Sequence, residues 1–258
     1  MNILFLGDIV GRSGRRAVRK LLPVIREENN IKLIIANGEN AAGGFGITKK
    51  VAEELFSYGI HCITMGNHTW NNKDIFNFID DEKRIIRPLN YMPEVPGKGW
   101  TIIQKNNFRI GIINLIGQVY MDSHNSPVYI YKKYIEKIKK NTDLILIDFH
   151  AEATGEKLAF ANYADGNVTA IVGTHTHVQT ADEQILSAGT AYITDLGLTG
   201  AVNSILGMDK KEVIKKYTTK LPGRFSVATG KCKLEGVIIT IDEKKMTSKN
   251  IRRIKMTD

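Results

Sequence analysis

The sequence is poor in the features that would place it outside a reducing, aqueous compartment. Only two cysteines, Cys62 and Cys232, occur in 258 residues, too few for a disulfide framework. Both lie in apolar or strand-like surroundings, so they are expected as buried, reduced thiols. No apolar run approaches the ~20 residues that a bilayer span needs. The first residues enter a strand without the basic and long apolar segments of a signal peptide, so cytoplasmic residence is the expectation. Proline is scarce, and Pro88, Pro93 and Pro96 gather in one irregular stretch that ends near Gly99. Internal repeats and low-complexity linkers are absent, and 43% of the residues are hydrophobic. A single α/β domain spanning 1–258 is therefore expected. Acidic residues are also in deficit, 27 against 36 basic ones, giving a net charge of +9. That balance favours phosphates and nucleic acid, although the lysine-rich segment Lys137-Ile138-Lys139-Lys140 fits a solvated helix face at least as well.

What the sequence does contain is a series of short apolar runs that end in polar residues. Ile3–Leu6 ends in Gly7-Asp8, and Leu33–Ala36 ends in Asn37-Gly38-Glu39-Asn40. Cys62–Met65 ends in Gly66-Asn67-His68, Leu144–Ile147 in Asp148-Phe149-His150, and Ala170–Val172 in Gly173-Thr174-His175-Thr176-His177. Continuous, β-branched runs of this length are buried strands. In open α/β sheets the functional crevice lies outside the carboxyl ends of the strands. Five strand ends therefore point at one place.

Between them, helices are expected at Arg15–Asn29, after Thr48, at Lys73–Ile79, Tyr131–Lys140, Glu156–Tyr163 and Lys210–Tyr217. Trp100–Gln104 and Phe108–Leu115 read as paired strands joined at Asn106-Asn107. Gly7–Gly14 and Gly197–Gly207 read as loops, and Ile251–Ile254 as a short edge strand.

The residue types at the five strand ends suit a two-metal phosphoesterase site. Two cations held ~3.5–4 Å apart need carboxylates, imidazoles and a bridging group to offset their repulsion. Asp8 and Glu39 supply charge, with Glu39 able to bridge. Asn40 and Asn67 supply amide oxygens. His150, His175 and His177 supply the imidazole nitrogens that suit iron, manganese, zinc or nickel rather than magnesium or calcium. Such a pair lowers the pKa of a bound water, generating hydroxide as the nucleophile. His68, next to Asn67, is the candidate general acid for the leaving oxygen. Just past a strand end the turn can send His175 and His177 toward different metals. His61 and His124 are expected at the surface. Arg87-Pro88-Leu89-Asn90 is a candidate wall for the substrate.

Taken together, these blocks resemble the calcineurin-like metallophosphoesterase superfamily. Two departures narrow the match: Val10 stands where many members have a histidine, and the second block is Gly38-Glu39-Asn40. With Asn2–Arg12, Asp148–Thr154 and Thr194–Gly200, the chain resembles the YmdB-type phosphodiesterases from end to end. The resemblance implies an α/β sandwich of two mixed β-sheets flanked by helices and a binuclear centre containing iron, with manganese as the alternative. It also implies hydrolysis of cyclic nucleotide phosphodiesters, notably 2′,3′-cyclic AMP. Carried onto this chain, Asp8, Glu39, Asn40 and His177 would hold one metal. Glu39, Asn67, His150 and His175 would hold the other, with His68 as proton donor. A nuclease or phosphomonoesterase using the same centre, or a regulatory nucleotide- or RNA-linked binding protein, are the competing functions. An RNA or protein partner and a homo-oligomer stay open.

Overall fold

The computed structural model describes residues 1–122 and 124–258; Ser123, inside the segment Gly117–Pro127, lies outside it. Two mixed sheets face each other. The first runs β2 (Asp8–Ile9), β12 (Leu198–Ala201), β13 (Cys232–Asp242), β1 (Asn2–Leu6), β3 (Ile31–Asn37), β4 (Cys62–Thr64), β5 (Ile85–Ile86), with β14 (Thr247–Thr257) paired to β13. The second runs β10 (Gln184–Ile185), β11 (Ala191–Ile193), β9 (Ala170–Thr174), β8 (Leu144–His150), β7 (Phe108–Ile116), β6 (Trp100–Lys105). Five α-helices, α1 (Gly11–Glu28), α2 (Lys49–Ser57), α3 (Pro127–Lys139), α4 (Thr154–Ala164) and α5 (Lys210–Thr219), complete the described secondary structure with a 3₁₀ turn at Lys73–Asn77.

The alternation of side chains along each strand explains the layering. Ile3, Phe5, Leu33 and Ile35 point inward and pack with Ile110, Ile112, Leu144, Leu146, Ala170 and Val172 of the opposite sheet. Their neighbours Leu4, Leu6, Ile34 and Ala36 point outward, onto Ala17, Val18, Leu21 and Ile25 of α1 and Leu55 of α2. On the other side, Ile145, Ile147 and Ile171 pack under Tyr131, Ile135, Ile138 and Phe160 of α3 and α4. With both faces covered, the central strands carry no polar face, which is why they read as unbroken apolar runs.

β1, β3, β4 and β5 are mutually parallel, as are β7, β8, β9 and β11. All the strand ends that carry the candidate ligands therefore leave their sheets at one edge. The two edges meet, because Asn37 Nδ2 at the end of β3 donates to Asp148 Oδ2 of β8 at 3.2 Å.

Several boundaries differ from the sequence expectation. α1 begins at Gly11, four residues before Arg15. Its Gly-Arg-Ser-Gly start resembles a loop in composition, yet a Cβ at Gly14 would collide with the Thr199 carbonyl. The small residues thus let the first turn lie against β12. β12 itself lies in the glycine-rich stretch read as a loop, pairing with β2 and β13. Residues 73–77 form a 3₁₀ turn capped by Asn72, not an α-helix. β14 is 11 residues long because it pairs with β13 along nearly its whole length. Thr48 caps α2 as expected, accepting from Val51 N–H at 3.2 Å, and both cysteines are free and buried.

His61 is not a surface residue. Its Nδ1 accepts from Ile34 N–H at 3.1 Å, and Nε2 lies 2.9 Å from Lys105 Nζ. Burial, then the Lys105 charge, push the imidazole down to about 4. The folded protein thus resists protonation there while the unfolded chain takes a proton near 6.5. Stability is present above pH 6.5 and is lost as pH falls from there toward 4. At a half-buried site the loss is about 1 kcal/mol after solvent screening. Urea melts from pH 7 to 4 are expected to show a shallower decline for His61→Gln than for the parent; parallel curves would refute it.

Candidate metal centre

At the meeting edge, three lone-pair atoms converge on the imidazole of His150, which is fully buried. Its Nε2 lies 3.1 Å from Glu39 Oε1, 2.8 Å from Asn67 Oδ1 and 3.1 Å from His175 Nδ1. One N–H cannot be directed at a carboxylate oxygen, an amide oxygen and a second imidazole nitrogen at once. A cation among them satisfies all of these lone pairs, and ligand atoms of Glu39, His150 and His175 lie within 4.8 Å of one another. His150 Nδ1, the other ring nitrogen, is 2.8 Å from Thr174 Oγ1, which in turn donates to Asp148 Oδ1 at 2.7 Å. Such a relay orients an imidazole ligand.

The turn after β9 separates its two histidines. His175 (φ 105°) and His177 (φ 63°) both have left-handed backbones, a strained conformation for non-glycine residues. His175 faces the His150 group, and its Nε2 lies 3.0 Å from the exposed Glu152 carboxylate. His177 instead faces Asp8. Its Nδ1 lies 3.1 Å from the Leu206 carbonyl, which leaves Nε2 3.6 Å from Asp8 Oδ1. Asp8 Oδ2 accepts from His175 N–H at 3.2 Å.

Electrostatics follow this division. Burial alone would raise the Asp8 carboxyl, but His177 beside it brings it down to about 2. Burial would likewise lower His177, and Asp8 raises it to about 9. Glu39 is lowered and His150 raised, each by the other's charge against the effect of burial. Burial and the neighbouring His150 push His175 down to about 4. The site thus carries two carboxylates at neutral pH.

Two further atoms lack partners. Asp8 Oδ1 and Asn40 Oδ1 are buried with no hydrogen bond among the described residues. Asn40 spends its Nδ2 on the Gly44 carbonyl at 3.0 Å, so its oxygen is the free end. Together with the His150 cluster, these orphaned oxygens fit a transition-metal site. Gly66 makes room for it, since a Cβ there would strike the His150 ring and the Glu39 carboxylate. Val10 contributes nothing polar and packs with Leu198 and Met208.

His68 sits beside the cluster. Its N–H donates to Glu39 Oε2 at 2.8 Å, while its ring packs edge-on to Phe45 with centroids 4.9 Å apart. The ring nitrogen Nδ1 is buried without a partner among the described residues.

Other polar residues shape the site without having been foreseen. Lys157 Nζ, buried on α4, donates to Asp195 Oδ2 and to the Thr174 carbonyl, each at 2.9 Å. Asp195 also accepts from Thr176 N–H at 3.0 Å and Gly197 N–H at 2.9 Å. Tyr91 Oη donates to the Gly66 carbonyl at 2.9 Å and Asn114 Nδ2 to the Met65 carbonyl at 2.6 Å, fixing the turn that carries Asn67. Asp148 accepts from Asn37, Thr64 and Thr174, and its burial pushes the carboxyl up to about 6.

The segment expected to line the substrate is structural instead. Buried Arg87 donates to the carbonyls of Pro88, Val95 and Pro96, and Asn90 to those of Ile116 and Asn125. His124 is half-buried with its ring against Tyr91, not at the surface.

The chain is similar to known proteins over its whole length. A sequence model of the family described as YmdB-like protein matches residues 4–254. The chain is 48% identical over its full length to a protein of Bacillus subtilis (strain 168) named 2′,3′-cyclic-nucleotide 2′-phosphodiesterase, covering 98% of it. Among solved structures, a hypothetical protein from Thermus thermophilus superposes with a TM-score of 0.94 at 34% identity, with complete coverage of both chains. A structure described as a novel phosphatase, from Mycoplasma pneumoniae, superposes with a TM-score of 0.93 at 34% identity over 100% of this chain and 93% of the other.

Proposed function

The chain belongs to the YmdB-like protein family, and from that premise we propose that it is a metal-dependent phosphodiesterase of 2′,3′-cyclic nucleotides, 2′,3′-cyclic AMP foremost. The observation that carries the proposal is the convergence of Glu39, Asn67 and His175 on His150 Nε2. The Bacillus relative's name supplies the substrate class and points to the ester bond at O2′.

In this reading Asp8, Glu39, Asn40 and His177 would hold one metal, and Glu39, Asn67, His150 and His175 would hold the second, with Glu39 common to both sets. The imidazole-rich donor set suits a transition metal, and within that class the resemblance to the YmdB-type enzymes favours iron, with manganese as the alternative. When bound, two such ions supply Lewis-acid stabilisation of the phosphoryl oxygens and lower the pKa of water. The chain's own residues do the rest. Two carboxylates offset only part of the charge of two divalent or trivalent ions, so the site keeps a net positive field for the phosphate anion. His68 hands a proton to O2′ as the P–O2′ bond breaks and a water oxygen joins phosphorus, leaving a 3′-phosphate; the proton that the water sheds passes to solvent, from which His68 is reprotonated. Residues 1–258 act as one catalytic domain, and the two free thiols suit a reducing cytoplasm.

Metal analysis of protein purified without added metal, paired with a cyclic-nucleotide panel, tests this. Close to two transition-metal ions per chain and turnover of 2′,3′-cyclic AMP to a 3′-nucleotide are expected. Fully loaded protein that hydrolyses neither a cyclic nucleotide nor bis(p-nitrophenyl) phosphate would sink the proposal.

A further inference from the structure

The exposed face of α1 carries five arginines at helical spacing: Arg12, Arg15, Arg16, Arg19 and Arg26. Residues three and four apart lie on one side of a helix, so these form a stripe opposite the buried Ala17, Val18, Leu21 and Ile25. The stripe borders two consecutive concavities. One of about 400 Å³ is lined by Arg12, Arg16, Arg19, the Arg15–Glu54 pair, Tyr58 and the segment Val227–Thr229. The next, of about 610 Å³, is lined by Arg26, Lys32, Lys105, one acidic residue, Glu27, and again Tyr58.

Arg15 pairs with Glu54 at 2.9 Å, and Arg16 lies 3.9 Å from Asp258. Arg12, Arg19 and Arg26 are exposed and have no ion pair among the described residues. From Arg12 to Arg26 the helix extends about 21 Å at 1.5 Å per residue, far longer than one phosphate. The groove also begins directly behind the metal-ligand loop. Gly11 N–H donates to the Asn40 carbonyl at 2.9 Å, and Arg15 Nη1 donates to the Ala41 carbonyl at 2.6 Å.

We propose that this stripe is a groove for single-stranded RNA whose 3′ end, closed as a 2′,3′-cyclic phosphate, reaches the metal centre. The proposal rests on the phosphodiesterase reading for the identity of that end. Repeated unpaired guanidiniums along a helix match a repeated phosphate backbone. Tyr58, shared by both concavities, offers a ring of the kind on which bases stack. A free cyclic mononucleotide would occupy only the metal end, so the groove would separate oligonucleotide from mononucleotide substrates.

The test uses the full-length holoenzyme with Arg12, Arg19 and Arg26 all changed to glutamate. Anisotropy of a fluorescein-labelled oligoadenylate ending in a 3′-phosphate is expected to show at least tenfold weaker binding than to the parent. The slope of log K against log salt should become shallower by about 2, at ~0.7 per lost phosphate contact. Hydrolysis of 2′,3′-cyclic AMP and the melting curve should be unchanged. Parent protein that does not bind the oligonucleotide, or a variant with unchanged affinity and slope, overturns the proposal. Tighter binding of polyglutamate than of the oligonucleotide also overturns it, making the stripe a surface for an acidic protein. Groove-dependent oligonucleotide binding without any cyclic-nucleotide turnover would leave the groove standing and refute the phosphodiesterase reading alone.

Discussion

Replacing His68 by alanine is expected to lower turnover of 2′,3′-cyclic AMP by about 10²–10⁴, the usual contribution of a positioned general acid. Metal content should stay at the parent level. The separation follows from how His68 is attached to the site. Its backbone N–H, not its ring, touches Glu39, and alanine retains that N–H. The ring packs against Phe45, so its removal opens space beside the cluster without taking away a donor atom.

Because the leaving group is an alkoxide, the loss should be large for the cyclic nucleotide. It should be small for bis(p-nitrophenyl) phosphate, whose phenolate needs little protonation. Metal analysis and both assays on one preparation decide the matter. Equal losses on the two substrates with full metal content would rule out the proton-donor role. Loss of metal would make His68 a ligand instead.

The proposed ligand set was legible in the sequence because each member stands directly after an apolar run, where strand ends must leave a sheet. Val10 stood out only against the family resemblance, since many members have a histidine there, and it packs with Leu198 and Met208. The supporting residues were harder to see. Lys157 sits in a helix among exposed neighbours, and a lysine there reads as a solvated one. Its burial arises only when α4 packs over the turn after β9, a contact with no local signature. Asp148 and Asn37 lie within or at the ends of strands and face each other across the sandwich, so their pairing needs two sheets to be in register.

Some misplaced boundaries did carry a signal. Ser126-Pro127, a cap residue followed by proline at the first helical position, marks the start of α3. By contrast, β12 in Leu198–Ala201 has the composition of a loop. It becomes a strand only because β2 and β13 offer it partners.

The same buried pair that the sequence concealed should produce the largest change in stability. Lys157→Met is expected to destabilise the protein by about 3–5 kcal/mol, the cost of leaving one member of a buried ion pair alone. Lys157 and Asp195 are both almost fully buried, with side-chain exposures of 1% and 0%. Methionine has nearly the shape of lysine, so packing changes little and the penalty is the stranded Asp195 charge together with the lost bond to the Thr174 carbonyl. Changing Asp195 to asparagine in the Lys157→Met background removes that charge and should recover a large part of the loss. Metal uptake should recover less. Asp195 holds Thr176 and Gly197 N–H with its two oxygens, and asparagine can accept only one of those bonds. Since Thr176 lies between His175 and His177, the two histidines would then share a loosened turn. Urea melts of metal-free protein, with metal content measured in parallel, separate these effects. A single variant within about 1 kcal/mol of the parent would mean that water or local rearrangement compensates the carboxylate, far below the 3–5 kcal/mol of a broken buried pair.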